Sequence, residues 1–326
     1  MASQNQWAYD LEDLTYAIMK TRRYLAVSGA APPPHREPPA GAGAARPAGR
    51  RPCKKKLKKL LIYIPVLIVA AFFFIPLLWM ISTSLKGSEE IFISPPRWIP
   101  KNIKWKNYKD AFEAIPYVKY ILNTVKTTGL AVLGNVISAP MIGYAFGKLK
   151  WPGRDKVFLL VIATMMLPFS VTMIPLYSMS SKFGWINTYI PLVLPDFLGR
   201  SYFIFLMRQF YMNLPDELLE AARIDGAGEM WVYTRVALPL VKPAVVTVAL
   251  FSAVWSWTDF MGPLIYLNKE AKWTISLGLS QFTNTYGVDW ALLMAAAVIA
   301  IIPMVILFFC LQKYFVEGST SSGIKG

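Results

Sequence analysis

Residue types that support catalysis are scarce in this sequence. The one histidine, His35, lies in a proline-rich stretch, so neither a histidine-ligated metal site nor a histidine-based triad is expected. The two cysteines, Cys53 and Cys310, lie in a basic segment and in an apolar one, which predicts neither a disulfide nor thiol chemistry. The phosphate-binding pattern GxxxxGK[ST] is also missing. We therefore expect a chain without catalytic residues, without a metal and without a cofactor of its own.

Charged residues between apolar segments form a different pattern in ELLEAARIDGAGEMWVYTRVALPLVKP, residues 217–243. Asn213 is placed to cap a helix that begins near Asp216, where the helix dipole favours negative charge. Gly226 and Gly228 are expected to end this helix. The predicted helix is about ten residues and about 15 Å long. A helix of that length is marginal in water unless another surface holds it.

The predicted helix mixes apolar and charged side chains, which suits a surface that docks on another protein. The apolar ones are Leu218, Ala221, Ala222 and Ile224, and the charged ones are Glu220, Arg223, Asp225 and Glu229. Two other interpretations are a helix lying on the lipid surface and a cap packed only on its own helix bundle. Lipid-surface helices usually carry Lys and Arg along their polar face, whereas this helix is net acidic. Docking is therefore the favoured interpretation.

Polar residues inside apolar segments are a second group with a possible function, because such residues mark solute pathways in membrane proteins. They are Asn123, Asn135, Asp196, Arg200, Thr258 and Asp259, and the aromatic residues Tyr202, Trp255 and Trp257 suit the same role. Aromatic rings can bind the C–H faces of a sugar while fixed polar groups bind its hydroxyls. Aromatic residues near span ends also serve as interface anchors, and Asp196 and Arg200, four residues apart, could simply pair on one helix.

The elements that must position these residues are membrane-spanning helices. Hydrophobic residues make up 55% of the chain and charged residues 16%, against about 45–50% and about 25% in soluble domains. A spanning helix needs about 20 apolar residues. The hydropathy pattern predicts six spans, at 60–82, 120–146, 157–178, 190–210, 243–267 and 290–312. The predicted fold is therefore all-α, a polytopic membrane protein with six transmembrane helices.

The net charge of +15 comes largely from basic residues beside the spans, so it indicates membrane orientation and not nucleic-acid binding. One basic cluster, Lys54–Lys59, precedes the first span, and another lies at 148–156, between the second and the third. The positive-inside rule then puts both termini and the loop at about 211–242 in the cytoplasm. The basic segment 83–119 would lie outside, which counts against this topology, although its turn signals and aromatic residues predict an ordered interfacial loop.

The chain divides by composition into an N-terminal extension, residues 1–55, and a six-span domain, residues 56–326. Residues 28–52 are rich in Pro, Gly, Ala and Arg without apolar periodicity, which predicts disorder. Apolar residues at helical spacing predict a short amphipathic helix at 7–25. That segment lacks an uninterrupted apolar core, so it is not interpreted as a secretory signal.

The loop at 211–242 carries a resemblance to a known family. Glu220-Ala221-Ala222, three residues, Gly226, nine residues, Val236, one residue and Leu238-Pro239 resemble the EAA loop of permease subunits of bacterial ATP-binding cassette importers. The stretches WSWTDFMGPLIYL (255–267) and QKYFVEGSTSSGIKG (312–326) resemble the carbohydrate-uptake branch, on the side of the maltose-type inner-membrane subunits. Val236 stands where isoleucine is usual, and Thr258 stands where asparagine is frequent before Asp259. The similarity runs from about Lys56 to Gly326.

This resemblance implies a type I importer permease fold in which the loop helix is a coupling helix, seated in a groove of a cytoplasmic ATPase subunit. The residues that it assigns to this contact are Glu220, Ala221, Ala222, Asp225, Gly226, Leu238 and Pro239. Glu220 would face a basic residue of the ATPase, and Gly226 would permit the sharp turn after the helix. ATP and Mg would be bound by the partner ATPase subunits and not by this chain.

The resemblance also implies an assembly in the bacterial cytoplasmic membrane. Its other parts would be a second permease subunit, expected to be a different chain, two cytoplasmic ATPase subunits and an extracytoplasmic solute-binding protein. The substrate would be a sugar or oligosaccharide, and the candidates for its path are Asn123, Tyr202, Trp255, Trp257 and Asp259.

Three other interpretations compete with that of a sugar importer permease. One is an ion-coupled secondary transporter in which Asp196 or Asp259 carries the ion. It would leave the docking helix without a purpose, and the chain has no second six-span half. The second is an importer permease for a solute other than a sugar. The third is a membrane-embedded enzyme, which would need a convergent His, Ser or carboxylate constellation that the sequence does not suggest.

Overall fold

The computed structural model of the protein describes residues 53–284 and 287–321. The chain forms two units, Met1–Tyr63 and Ile64–Gly326, and the described part of the first is helical. The amphipathic helix predicted at 7–25 and the disorder predicted at 28–52 lie outside the described residues. The sites discussed below belong to the second unit.

Helices make up most of the described residues. In chain order they begin with α1 (Cys53–Ser84), α2 (Ser88–Ile91), α3 (Lys106–Ala114), α4 (Tyr117–Gly147), α5 (Arg154–Met165), α6 (Phe169–Lys182), α7 (Ile190–Leu198) and α8 (Ser201–Met212). They continue with α9 (Asp216–Ile224), α10 (Glu229–Trp231), a π-helical turn (Val232–Ala237), α11 (Leu238–Leu240), α12 (Lys242–Thr258), α13 (Met261–Tyr266), α14 (Ile275–Gly278) and α15 (Trp290–Ser321). Before α15 lie two 3-10 turns (Glu270–Lys272 and Leu279–Phe282) and two antiparallel strands, β1 (Thr283–Asn284) and β2 (Gly287–Val288).

Four helical segments of the described chain are long and apolar enough to cross a membrane: Tyr63–Ser84, Tyr117–Gly147, Ile190–Met212 and Trp290–Lys313. The count rises to six if each of two bent helix pairs is one span. These pairs are α5 with α6, and Glu229–Leu240 with α12. The upper count agrees with the six spans predicted from hydropathy, and the fold is helical and polytopic as predicted.

Three of the predicted spans differ in shape from straight helices. The fourth, predicted at 190–210, is divided into α7 and α8 at Gly199, whose φ is +94°. The third, predicted at 157–178, is broken, because α5 and α6 meet at an angle of 99°. Pro168 lies at that break, and the residue before a proline disfavours helical backbone. The fifth, predicted at 243–267, ends early at Thr258, where Asp259 adopts an extended backbone (φ −64°, ψ 117°). Hydropathy alone could not show this end, because the sequence stays apolar beyond it.

The long helix α4 is the centre of the bundle and packs against α7, α8 and α12. Around one end of α4 a cluster of buried side chains includes Tyr144, Met207, Tyr211, Leu219, Val232 and Tyr233. Around its other end a second cluster includes Tyr117, Tyr120, Trp257, Ile275, Phe282 and Ala296. The two clusters fix the charged loop at one end of the bundle and the segment before α15 at the other.

The segment between α1 and α4 is ordered, in agreement with its turn signals and aromatic residues. Lys86 is fully buried, donates from Nζ to the carbonyl of Arg97 at 2.5 Å, and lies 4.1 Å from the ring centre of Trp79. Burial lowers the pKa of the Lys86 amine. Asn107 donates from Nδ2 to the carbonyls of Ser84 and Lys86, at 2.9 and 2.8 Å. These bonds hold the segment as a cap over one end of the bundle.

Candidate functional sites

The charged helix forms where the sequence predicts it, as α9, but its start differs from the prediction. The residue before the helix is Pro215, with extended backbone, and it offers no side-chain cap. Asn213 was predicted as the cap and instead lies at the end of α8, with its amide bonded to the carbonyl of Phe210 at 3.2 Å. The reason is that Pro215 has a fixed φ and no amide to be satisfied, so the helix can start without a capping side chain.

The end of α9 matches the prediction. The amide of Asp225 bonds to the carbonyl of Ala221 at 3.0 Å, and that of Gly226 bonds to the carbonyl of Arg223 at 3.0 Å. Gly226 then takes a φ of +86°, a left-handed conformation that favours glycine. The helix therefore ends in a sharp turn, after which the chain re-enters the bundle through α10.

One face of α9 is buried and the other is exposed. Leu219 is 1% exposed and packs in the cluster around Tyr144 and Tyr211. Leu218 and Ile224 are 47% and 86% exposed. Large apolar side chains at this level of exposure outside the spans favour a docking surface over a cap that packs only on its own bundle.

Ion pairs tie α9 to the end of α4. Arg223 donates to both carboxylate oxygens of Glu229, at 3.0 and 2.9 Å, and Tyr144 on α4 donates to the same carboxylate. Lys148, whose side chain is 5% exposed, pairs with Asp216 at 2.5 Å. The Glu229 carboxylate raises the pKa of Arg223, and Lys148 lowers the pKa of Asp216. Both ends of the helix are thus fixed to one span.

Two open pockets flank α9. A polar one of about 450 Å³ is lined by Lys148, Leu149, Lys150, Trp151, Asp216, Glu220, Arg223 and Glu229. A more apolar one of about 600 Å³ is lined by Ala222, Asp225, Gly226, Ala227, Gly228, Trp231 and Val236. Of the other predicted contact residues, Ala221 and Pro239 are exposed, while Leu238 packs against the core cluster. Of the residues assigned to ATPase contact, Glu220, Ala222, Asp225 and Gly226 therefore line the pockets beside α9.

A separate cavity of about 720 Å³ lies among the membrane helices. Its charged lining residues are Arg200 and Asp259, and its hydroxyl-bearing residues are Thr127, Thr164, Thr172, Ser201, Ser256, Thr258, Tyr266 and Thr274. Trp255 also lines it, and the ring of Tyr202 lies 5.2 Å from the Trp255 ring. Of the predicted path residues, Trp255 and Asp259 therefore line the cavity, and Tyr202 contacts Trp255 without lining it.

The structure places two other predicted path residues away from this cavity. Trp257 is 6% exposed in a core cluster and donates from Nε1 to the carbonyl of Ala300 at 3.0 Å. Asn123 donates to the carbonyls of Ala271 and Trp273, at 3.1 and 2.9 Å, and so holds the segment after α13 against α4. Both side chains already have packing or hydrogen-bonding roles.

Sequence reasoning missed how these groups are held together. Pairing of Asp196 and Arg200 along one helix was one alternative, but they pair across the break between α7 and α8 at Gly199, whose φ is +94°. Pro195 and Gly199 near the pair were the only local signal of that break. The ties from Tyr144 and Lys148 to α9 have no sequence signal, because they join residues far apart in the chain. Among the described residues, no group of three or more His, Cys, Asp or Glu could hold a metal.

Comparison with known proteins gives consistent matches. The family of the binding-protein-dependent transport system inner membrane component matches residues 139–319. The arabinooligosaccharides transport system permease protein AraQ of Halalkalibacterium halodurans is 34% identical over 254 residues, covering 77% of this chain and 91% of that protein. The melibiose/raffinose/stachyose import permease protein MelC of Bacillus subtilis is 32% identical over 256 residues, covering 78% of this chain and 92% of that protein.

A solved structure shares the fold. It is a chain of a bacterial ABC transporter involved in the import of the acidic polysaccharide alginate, with a TM-score of 0.68 and 22% identity. The match covers 83% of this chain and 100% of that one.

Proposed function

The chain belongs to the family of binding-protein-dependent transport system inner membrane components, and we propose that it carries a sugar or oligosaccharide across the membrane. It is a non-catalytic permease subunit of an ATP-driven importer, as the resemblance in the loop at 211–242 implied. Membership of this family excludes the two alternatives of an ion-coupled secondary transporter and a membrane-embedded enzyme.

The observation that supports the coupling role is the way α9 is held. Arg223, Glu229 and Tyr144 fix the helix to α4, while Leu218 and Ile224 stay exposed. A helix tied firmly to a span on one side, with an apolar outer face, can pass the movement of a docked protein to that span. The contact would include Glu220, Ala221, Ala222, Asp225, Gly226, Leu238 and Pro239.

The proposed substrate class rests on the relatives and the membrane cavity together. The two relatives are described as permeases for arabinooligosaccharides and for melibiose, raffinose and stachyose. The cavity offers an aromatic ring, Trp255, beside several hydroxyls and the charged side chains of Arg200 and Asp259. This is the mixture of an apolar face and fixed polar partners that a sugar requires, and Asn123, Tyr202 and Trp257 would act indirectly through packing.

The proposed assembly has a second, different permease subunit, two cytoplasmic ATPase subunits that bind ATP and Mg, and an extracytoplasmic solute-binding protein. Six spans would place both termini and α9 in the cytoplasm and the cap between α1 and α4 outside. The absence of a phosphate-binding loop in the sequence supports a separate ATPase.

The test is purification of the tagged chain in mild detergent, with the ATPase and transport activities of the recovered complex measured in vesicles. We expect an ATPase subunit to co-purify, and its hydrolysis to rise when binding protein loaded with raffinose or an arabinooligosaccharide is added. Uptake that continues without ATP and follows an ion gradient would contradict the proposal.

A further inference from the structure

A buried polar network joins three spans beside the membrane cavity. Asn135 on α4 donates from Nδ2 to Asp196 Oδ1 on α7 and to Ser252 Oγ on α12, both at 2.8 Å. Ser138 donates from Oγ to the carbonyl of Asp196 at 2.8 Å. Asp196 is 1% exposed. The Asp196 carboxylate is therefore held by Asn135 of α4, and Asn135 is itself bonded to Ser252 of α12.

Asp196 in turn holds Arg200. The turn at Gly199 brings the Arg200 side chain back towards α7, where Nε donates to Asp196 Oδ1. The terminal nitrogens of the guanidinium make no hydrogen bond within the described part of the chain, and the side chain is 43% exposed and lines the cavity. Because a guanidinium carries five N–H donors, most of them remain open to a solute.

The charges around the cavity do not cancel. Its charged lining residues are Arg200 and Asp259. Asp196 pairs with Arg200, and Asp259, which accepts a hydrogen bond from the Gly262 amide at 3.1 Å, adds a second carboxylate. Two carboxylates thus accompany one guanidinium, and the set has a net negative charge. A solute carboxylate would meet Asp259 without finding a free positive charge. An uncharged polyol would meet open donors on Arg200, an acceptor on Asp259 and the ring of Trp255.

We infer that Asp196 and Asn135 position Arg200 and cancel its charge, so that the cavity selects uncharged polyhydroxylated solutes over carboxylated ones. Arg200 and Asp259 are then the specificity-determining residues, and Asp196 and Asn135 are positioning residues. The inference rests on the proposed function, because it requires the cavity to lie on the solute path.

The charge of the cavity can be measured with a cysteine reporter. In the intact complex, with Cys53 and Cys310 replaced by serine, Thr258→Cys places a thiol on the cavity wall. The thiol is reacted with an anionic sulfonatoethyl and a cationic trimethylammonioethyl methanethiosulfonate. The ratio of the two rates reports the local charge, because a change in the thiol pKa alters both rates alike.

The expected shifts have opposite signs. Asp259→Asn should raise the anionic-to-cationic rate ratio by about tenfold, since it removes the uncompensated charge. Asp196→Asn should raise the ratio similarly by leaving Arg200 unmatched, and Arg200→Gln should lower it. Asp259→Asn leaves the buried network intact, so it keeps the test informative if Asp196→Asn fails to fold.

The matched control is the same ratio at Ile99→Cys, an 81% exposed position in the cap. That ratio should not change with any of the three substitutions. If the thiol at position 258 reacts but Asp259→Asn does not change its anionic-to-cationic rate ratio, the inference is wrong. The proposal that the cavity lies on the solute path would still stand. If neither reagent reaches position 258, the cavity is not on a water-filled path, and both the proposed path and this inference fail.

Discussion

At the scale of single residues, Glu220 is a carboxylate of α9 that is open to a partner and lies at a pocket. It is exposed, lines the polar pocket, and forms no ion pair among the described residues. We predict that Glu220→Ala weakens binding of the ATPase subunit by about 1.5–3 kcal/mol, the usual contribution of a charge-assisted bond. Membrane insertion should not change. The measurement is titration of the purified permease with ATPase subunit, followed by ATPase and uptake assays.

Glu217→Ala is the control for this prediction. Glu217 is also an exposed carboxylate of α9, but it lies in the first turn and does not line either pocket beside the helix. We expect a smaller effect than at Glu220. Wild-type affinity and coupling in both variants would mean that α9 does not transmit energy through a carboxylate.

Gly226 allows a second prediction with a close control. A Cβ added at Gly226 or at Gly228 meets no heavy atom within 4 Å, yet only Gly226 has a positive φ, +86°. Gly226→Ala should therefore cost roughly 1–2 kcal/mol through backbone strain alone. Gly228→Ala, at a φ of −68°, should cost little. Thermal unfolding and uptake rates of the two variants are compared, and equal behaviour would show that the turn is not strained.

Some parts of the site could be predicted from the residue types in the sequence, and others could not. The turn at Gly226 could be predicted, because glycine is the usual residue at a left-handed helix end. Residue preference alone could not decide whether Asn213 caps α9, because Pro215 is also a suitable residue to precede a helix. The roles of Trp257 and Asn123 depend on Ala300 and Ala271, which lie 43 and 148 residues away.

At the scale of elements, the crossing of α4 and α7 is closest at Gly134. A Cβ there would lie 2.9 Å from the backbone of Asp196 and Phe197. Gly134→Ala should separate the two helices and cost about 1–3 kcal/mol, as overpacking does in other cores. It should also loosen the bond between Asn135 and Asp196. The measurement is the thermal unfolding midpoint of the purified complex in detergent.

The control on the same helix is Gly129→Ala. Position 129 has open space around it, with no heavy atom within 4 Å of an added Cβ. Alanine is also the better helix former, by about 1 kcal/mol. The thermal unfolding midpoint should therefore remain unchanged or rise. A similar loss at both positions would indicate a general intolerance of α4 to substitution, and the close approach at Gly134 would not be the cause.

Element type and approximate position followed from the sequence, but element shape did not. Runs of apolar residues predict that a helix crosses the membrane. A straight span and a broken one give the same run, so hydropathy does not distinguish them. The bend at Pro168 had a signal in the proline itself, whereas the other prolines within spans, such as Pro140 in α4, leave their helices continuous. The extended backbone at Asp259 had no such signal.

At the scale of the whole molecule, the cap between α1 and α4 is the main difficulty for the six-span topology. The segment 83–119 holds seven basic residues, and basic residues favour the cytoplasmic side. The structure pairs Lys104 with Glu89 at 3.0 Å, Lys106 with Asp110 at 3.8 Å and Lys109 with Glu113 at 3.7 Å. Much of the charge is therefore matched within the cap itself.

The arrangement of the spans around α4 could not be read from the sequence. Hydropathy predicts the number of spans and their approximate positions, but any order of neighbours satisfies it. The cavity depends on bringing Arg200, which precedes α8, near Trp255 of α12 and near Asp259, which follows α12. That contact is tertiary, and only the packing of the spans on α4 creates it.

The side of the membrane proposed for each site depends on the six-span topology, which can be tested directly. In a background where Cys53 and Cys310 are serine, single cysteines replace Lys104 in the cap and Lys150 in the segment before α5. A membrane-impermeant maleimide should label position 104 in spheroplasts and should label position 150 only after permeabilisation, since six spans put these loops on opposite sides. Ala222→Cys should behave like position 150. Labelling of position 150 in unbroken cells would overturn the six-span count and place α9 on the wrong side for a cytoplasmic ATPase.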